Sequence, residues 1–155
     1  MKRKMLLFMF CCSLVLCFSS VFYVKADEMG QIVDVEYLED GTYFETILEE
    51  IPSTARSTTK SGSKTVNYKN GKGKLLWSVT VHGKFTYNGK KSSCTKATVS
   101  TTCPSKTWKI ASSSAKKNGA DAIGTATAKQ YVDGVFSQSK TKTVTLHCSA
   151  SGKLS

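Results

Sequence analysis

The 155-residue sequence predicts an all-β protein, an antiparallel β-sandwich (immunoglobulin-like or similar) of about six to eight strands behind an N-terminal signal peptide. Three observations carry that reading. Apolar and polar residues alternate with period two over residues 75–87, turn dipeptides that tolerate positive φ recur at regular intervals, and nothing in 51–155 repeats at helical spacing.

In chain order, the first element is the export signal. Lys2, Arg3 and Lys4 precede an apolar run over 5–24, and Val24-Lys25-Ala26 supplies small residues for cleavage before Asp27. An uncleaved membrane anchor is the alternative, since about 20 apolar residues span a bilayer, although Ser13, Ser19 and Ser20 dilute the run. None of Cys11, Cys12 and Cys17 follows the small residue that lipoprotein processing needs, and no second hydrophobic segment or sorting signal lies near Ser155. The expected product is therefore released and extracellular. Cleavage leaves 129 residues with 18 Lys and Arg against 11 Asp and Glu, a net charge of +7, and only Cys94, Cys103 and Cys148. A chain of this length fits one domain with a modest core.

Residues 27–50 form an acidic leader carrying nine of the eleven carboxylates; 51–155 hold only Asp121 and Asp133. Val33, Val35 and Tyr37 alternate with Asp34 and Glu36, Asp40-Gly41 suits a turn, and 43–47 can return, which suggests a hairpin packed on the body. Residues 51–59 read as a linker. The division is a signal peptide over 1–26, an acidic segment and linker over 27–55, and a cationic sandwich domain over 56–155.

In that domain Asn70-Gly71, Asn88-Gly89, Asn118-Gly119 and Asp133-Gly134 mark tight hairpins. They delimit strands near 64–69, 74–87, 92–102, 107–115, 121–131 and 135–148. The second shows the pattern best: Leu75, Trp77, Val79, Val81, Phe85 and Tyr87 alternate with Ser78, Thr80, His82, Lys84 and Thr86, with Leu76 the one apolar exception. Gly83, within it, suggests a bulge or a close backbone approach. Ala97, Val99 and Thr101 share a face, as do Trp108 and Ile110, and Val144, Leu146 and Cys148. The Ala-rich stretch 120–128 reads as a strand whose small face, Ala122, Gly124, Ala126 and Ala128, lets an opposing sheet come close.

Hairpin-linked strands alternate direction. Cys94 opens the third of these strands and Cys148 closes the sixth, at the same end, while Cys103 closes the third at the other. A disulfide needs Cα atoms within roughly 7 Å, so Cys94–Cys148 is the expected bridge, worth about 4 kcal/mol in the chain-entropy account. An exported chain would keep it. Cys103 remains as a free thiol or a link to a second molecule.

For catalysis the sequence offers little. Paired-carboxylate hydrolysis would need Asp121 and Asp133 or acids from the leader, and Asp133 suits a turn. No nucleophile-elbow, HExxH, phosphate-loop or dinucleotide fingerprint occurs. His82 and His147 fall on polar strand faces and would make a two-histidine metal pair only on neighbouring strands. A Lys–Asn isopeptide bond is excluded because the asparagines lie mostly at turns. No enzyme activity, metal or cofactor is expected.

The basic residues point to anions. Lys60 and Lys64 lie near the first hairpin with Lys69, Lys72 and Lys74, while Lys90, Lys91, Lys116 and Lys117 sit by other turns. Lys69, Lys72, Lys74, Lys90, Lys91, Lys116 and Lys117 are the candidate anion-binding set, set against a plain solvated surface that protects strand edges. The partners in view are an anionic cell-wall polymer such as teichoic acid, or an acidic polysaccharide, held by salt-sensitive attraction. No nucleic acid, no membrane after signal cleavage and no oligomer is expected. Tyr68, Tyr87, Tyr131 and Trp108 are sugar-stacking candidates, although Trp77 and Trp108 read as core.

Three stretches also carry a resemblance. Residues 55–66 (ARSTTKSGSKTV), Leu76-Trp77-Ser78-Val79-Thr80-Val81 with Phe85-Thr86-Tyr87-Asn88-Gly89, and residues 141–149 (TKTVTLHCS) resemble a group of small secreted proteins of Gram-positive anaerobic bacteria. The resemblance spans about 30–155. It implies export, an all-β body and the Cys94–Cys148 pair, and it transfers no site; Cys103 departs from the group's usual two cysteines. The functional expectation is a secreted, non-catalytic sandwich associating with anionic polymers. The alternatives are a secreted antagonist whose acidic segment is cut off near Ala55-Arg56, and an enzyme.

Overall fold

The computed structural model describes residues 30–52 and 58–155. The expected signal peptide and the Ala55-Arg56 bond lie outside the described residues. Eight strands follow one another: β1 (Gln31–Tyr37), β2 (Tyr43–Ile51), β3 (Thr59–Lys69), β4 (Leu75–Tyr87), β5 (Ser92–Thr102), β6 (Trp108–Asn118), β7 (Asp121–Val132) and β8 (Val135–His147). They build two antiparallel sheets, β1-β2-β3-β4-β5 and β6-β7-β8. The fold is the expected β-sandwich, and its connectivity is a meander: every strand pairs with its chain neighbour except where 103–107 cross between sheets. An immunoglobulin domain would use Greek-key connections instead.

The period-two pattern sets which face is buried. Trp77, Val79, Val81 and Phe85 of β4 are buried, as are Val66 and Tyr68 of β3, while His82, Lys84 and Thr86 face solvent. The small face of β7 works as expected: Ala122, Gly124, Ala126 and Ala128 are all buried against the larger sheet. A Cβ on Gly124 would stand 3.0 Å from the Val81 Cβ and 3.3 Å from a Val99 methyl. Gly83 likewise allows a close approach, of the Phe85 ring and Ala122, and the ladder's irregularity falls one step later, between Lys84 and Phe85. One half of the core is aromatic, with Phe44, Tyr68, Trp77 and Trp108 stacked at centroid separations of 4.9–6.5 Å. The other half is filled by small residues, Phe85, Leu146 and Leu154.

Two features were not expected. After β8 the chain turns at Gly152 (φ 85°), bridges Cys148 to Leu154, and sets Leu154 into the core. β3 begins at Thr59, earlier than the expected strand, so it pairs with β2 along the whole length from Tyr43↔Lys69 to Ile51↔Ser61. The acidic hairpin is therefore the margin of the five-stranded sheet, and Phe44 contributes to the core.

The acidic side of β1, and not its apolar side, faces the second sheet. A register shift after Ile32 leaves Asp34 opposite Thr46 and Glu36 opposite the buried Phe44, while Ile32, Val35 and Tyr37 are exposed. The reason lies across the sandwich. On β8, Lys140 and Lys142 pair with the buried Ala128 and Ala126, so both point inward. Lys142 Nζ meets Glu36 at 2.5 Å and lies 4.2 Å from the Phe44 ring centroid. Lys140 Nζ meets Asp40 at 3.4 Å and lies 5.4 Å from the Tyr68 centroid. Glu45–Lys69 (2.7 Å) and Glu50–Lys60 (2.6 Å) add lateral pairs to β3.

Two predictions follow from this packing. Gly124→Val should lower stability by about 1–3 kcal/mol through overpacking. Urea unfolding would show a lower midpoint at unchanged slope, and a neutral result would mean the sheets do not meet at Gly124. Glu45 supplies the second. The Lys69 ammonium hydrogen-bonded to it holds its carboxyl below the ordinary value, and the Thr42 hydroxyl does the same for Asp40. A pKa lowered on folding adds stability above the unfolded value, near 4, that disappears as pH falls through the folded value. Glu45→Gln should therefore be less stable than the wild type by about 0.5–1 kcal/mol at pH 7, and the gap should close in strong acid, where the carboxyl is protonated in both states. An equal gap at both pH values would contradict the pairing.

Candidate anion-binding groove

Antiparallel register arranges the outer face of the five-stranded sheet in rows. One row, from β2 to β5, reads Ile51, Ser61, Lys84, Lys96; the next reads Glu49, Ser63, His82, Thr98. A groove of about 630 Å³ crosses the sheet over these two rows, with Gly30 at its β2 end. Glu49 accepts a hydrogen bond from the Ser63 hydroxyl (2.8 Å), and His82 Nε2 lies 3.0 Å from Ser100 Oγ. At the β4–β5 end, Lys84 and Lys96 are both exposed and directly opposite each other. Neither has a carboxylate of a described residue within ion-pair distance. Like charges directly opposite on a sheet repel, so this end of the groove is short of negative charge.

The pairing of Lys84 with Lys96 depends on a bulge. Phe85 pairs with Cys94 and Lys84 with Lys96, so Thr95 is extra, and its hydroxyl donates to the Lys84 carbonyl at 3.0 Å. Unbroken alternation through Thr95 would instead put Lys96 on the inward side with Cys94. A second cleft of about 630 Å³ opens between the sheets over Leu48, Val66, Val144 and Leu154, with Lys64, Lys142 and Lys153 at its rim. Its rim is partly neutralised by the Lys142–Glu36 pair.

The seven lysines singled out from the sequence do not form one surface. Lys69, Lys72 and Lys74 lie at the pole holding the β3–β4 turn; Lys90, Lys91, Lys116 and Lys117 lie at the opposite pole, by the β4–β5 and β6–β7 turns. Lys69 is already paired with Glu45, and Lys117 donates to the Thr95 carbonyl at 3.1 Å across the seam between β6 and β5. The sequence reading missed Lys84 and Lys96. Their polar-face position was visible, but their pairing depends on the Thr95 bulge.

The histidines are separated. His82 is on the outer face of one sheet, and His147 is on the outer face of the other, with Nδ1 2.6 Å from Asp121 Oδ1. The two-histidine metal pair is ruled out because β4 and β8 belong to different sheets. No group of three or more potential metal ligands occurs among the described residues. Tyr68 and Trp108 are core residues, so neither offers a stacking surface.

Cys94 and Cys148 do meet at one rim. Their amides donate to the adjacent carbonyls of Gly119 and Ala120. All three cysteines are free thiols in this structure. Cys103 is at the far pole and donates to the carbonyls of Trp108 (3.2 Å) and Leu76 (3.6 Å). Burial pushes all three thiols up in pKa, which keeps them protonated and poorly nucleophilic near neutral pH. No protein-family model, curated protein or solved structure matches the chain.

Proposed function

We propose that this chain is an exported, non-catalytic β-sandwich that associates with anionic polymers of the cell envelope or extracellular space. The group of small secreted proteins of Gram-positive anaerobes is its proposed kin. One observation carries the reading: four carboxylates of the acidic hairpin are held by Lys60, Lys69, Lys140 and Lys142, and the other described lysines have no carboxylate of a described residue within ion-pair distance. Four of the hairpin's carboxylates are thus matched to lysines of the same chain, which leaves the loop-tip lysines to face solvent and supports attraction to an external polyanion.

The alternative of a removable acidic pro-segment fits less well. β2 pairs with β3 over nine residues and places Phe44 in the core. A cut near Ala55-Arg56 would leave the hairpin attached, and stripping it away would expose Tyr68 and Val66. The enzyme reading fits less well, since burial raises all three thiols in pKa and His147, the chain neighbour of Cys148, turns to the outer face and pairs with Asp121.

In an oxidising compartment the same reading joins Cys94 to Cys148 by exchange with a small-molecule disulfide. Intact mass of the exported protein should lie two hydrogens below the reduced value, with the bridge mapped to a peptide pair containing Cys94 and Cys148. A bridge to Cys103 would contradict the assignment. For the function itself, the protein should be retained on purified anionic wall polymer at about 0.05 M salt and released by about 0.5 M, where the screening length has shrunk to a few ångströms. Equal retention across that range, or none at low salt, would remove the proposal.

A further inference from the structure

β7 and β8 run on past the end of β6 as a two-stranded ribbon. Trp108, the first residue of β6, pairs with Gln130, so the pairs Tyr131↔Phe136 and Val132↔Val135 lie beyond the third strand. Every residue from Val132 to Ser139 is exposed, and three of them are large and apolar: Val132 (50%), Val135 (69%) and Phe136 (53%). Alternation puts the valine pair on one face of the ribbon and the ring pair on the other. We infer that this ribbon docks on an anionic phospholipid bilayer, entering the headgroup layer while the sandwich stays in water. The inference goes beyond the polymer reading and does not rest on it; no membrane contact was expected from the sequence.

The order of side chains along the ribbon selects a bilayer. The outermost pair is valine. One row back, the Tyr131 and Phe136 rings meet edge to face at 6.2 Å. Behind them Lys109 and Lys129 pair across β6 and β7, with ammonium groups 5.4 Å from the Tyr131 centroid and 6.0 Å from the Phe136 centroid. Lys129 and Val132 are separated by about 10 Å along the strand, which matches the depth an amphipathic element occupies between lipid headgroups and acyl chains. Over that depth aromatic rings favour the interface and lysines reach back to phosphate. A ribbon apolar on both faces suits a medium that surrounds it, whereas a sugar or a flat protein surface would cover one face. Neither Lys109 nor Lys129 has a carboxylate of a described residue within ion-pair distance. Lys72 and Lys74 add charge at the same pole, which the Tyr68–Trp108 contact and the Lys140–Asp40 pair place at this end of the sandwich. Of the carboxylates there, Asp40 and Glu45 are held by Lys140 and Lys69, Glu39 is exposed near the β1–β2 turn, and Asp133 lies in the ribbon's own turn. Asp133 sets the limit of insertion: a carboxylate is too costly in hydrocarbon, so the turn halts among headgroups.

The test uses the protein recovered after export, because the apolar run over 5–24 would itself enter vesicles. Partition is measured by co-sedimentation with mixed phosphatidylglycerol and phosphatidylcholine vesicles, and with vesicles of phosphatidylcholine alone. Calorimetry with poly(glycerol phosphate) supplies the same phosphodiester without a bilayer. The wild type should prefer the mixed vesicles by about tenfold or more. Val135→Ser/Phe136→Ser should weaken that partition by about tenfold or more and leave polymer binding unchanged. Lys109→Gln/Lys129→Gln should also weaken it by about tenfold or more, and Lys90→Gln/Lys91→Gln, at the opposite pole, by less than about threefold. Asp133→Asn should tighten it by about two- to fivefold. Depth is read separately. Val132→Trp should shift its emission to shorter wavelength on mixed vesicles and be quenched by acyl-brominated lipid, over the constant signal of the buried Trp77 and Trp108. Equal partition of the wild type and Val135→Ser/Phe136→Ser, or unshifted Val132→Trp emission in bound protein, would overturn insertion. Equal loss of polymer binding in the apolar double variant would assign the ribbon to the polymer and overturn the bilayer. Failure of the wild type to partition into either vesicle would overturn the inference, with wall-polymer retention still judged by its own test.

Discussion

Two inward-pointing lysines of β8 set which side of the acidic hairpin faces the second sheet. Lys140 and Lys142 lie on the inward side of β8, opposite Ala128 and Ala126, because strand parity is inherited from Val144 and Leu146 further along. A charge facing a protein interior without a partner carries a desolvation penalty of several kcal/mol, which pairing and partial solvent access must offset. Glu36 and Asp40 provide the pairing, and the Phe44 and Tyr68 rings provide negative π faces beneath the ammonium groups. Each exposed ion pair alone contributes little to stability. Their larger effect is on register: the acidic side of β1 must face inward, and that turns Ile32, Val35 and Tyr37 to solvent.

This arrangement explains why the chain's charges are so unevenly divided along the sequence. The hairpin concentrates carboxylates where β8 and β3 present lysines, and Phe44 and Leu48 anchor it by apolar packing. A uniformly mixed distribution would satisfy the inward lysines equally well but would neutralise the exterior. Here most of the remaining lysines have no carboxylate of a described residue within ion-pair distance. The opposite seam is closed differently, by Lys117 reaching the Thr95 carbonyl, so lysine also seals the edge that has no acidic strand.

Strand existence and burial were readable because period-two alternation is a direct image of a half-buried sheet. The face of Ala122, Gly124, Ala126 and Ala128, the turn at Asp133-Gly134 with positive φ at both residues, and the common rim of Cys94 and Cys148 all followed from local pattern. What parity could not reveal was any position beyond a bulge. A single extra residue exchanges the two faces of a strand, so the inward Asp34 and Glu36 depended on the shift after Ile32, and the pairing of Lys96 with Lys84 depended on Thr95. Leu154 was hidden for another reason: its burial comes from a return of the chain after β8, with no periodic signal around it. The loop-tip lysines were conspicuous because turns expose them, yet exposure at separate poles gives them no common target.

The same bulge separates two kinds of lysine in this fold. Lys140 and Lys142 are compensated by carboxylates of the chain itself, and their pairing serves the fold. Lys84 and Lys96 are brought together by Thr95 and left uncompensated, which by itself weakens the β4–β5 ladder. A sheet stabilised only for its own sake would place Glu or Thr at one of those positions, as it does at the hydroxyl pairs Thr65–Thr80 and Thr125–Thr143 on the same kinds of outer face. The bulge therefore leaves both β4–β5 lysines turned to solvent, whereas the inward lysines of β8 are matched within the fold.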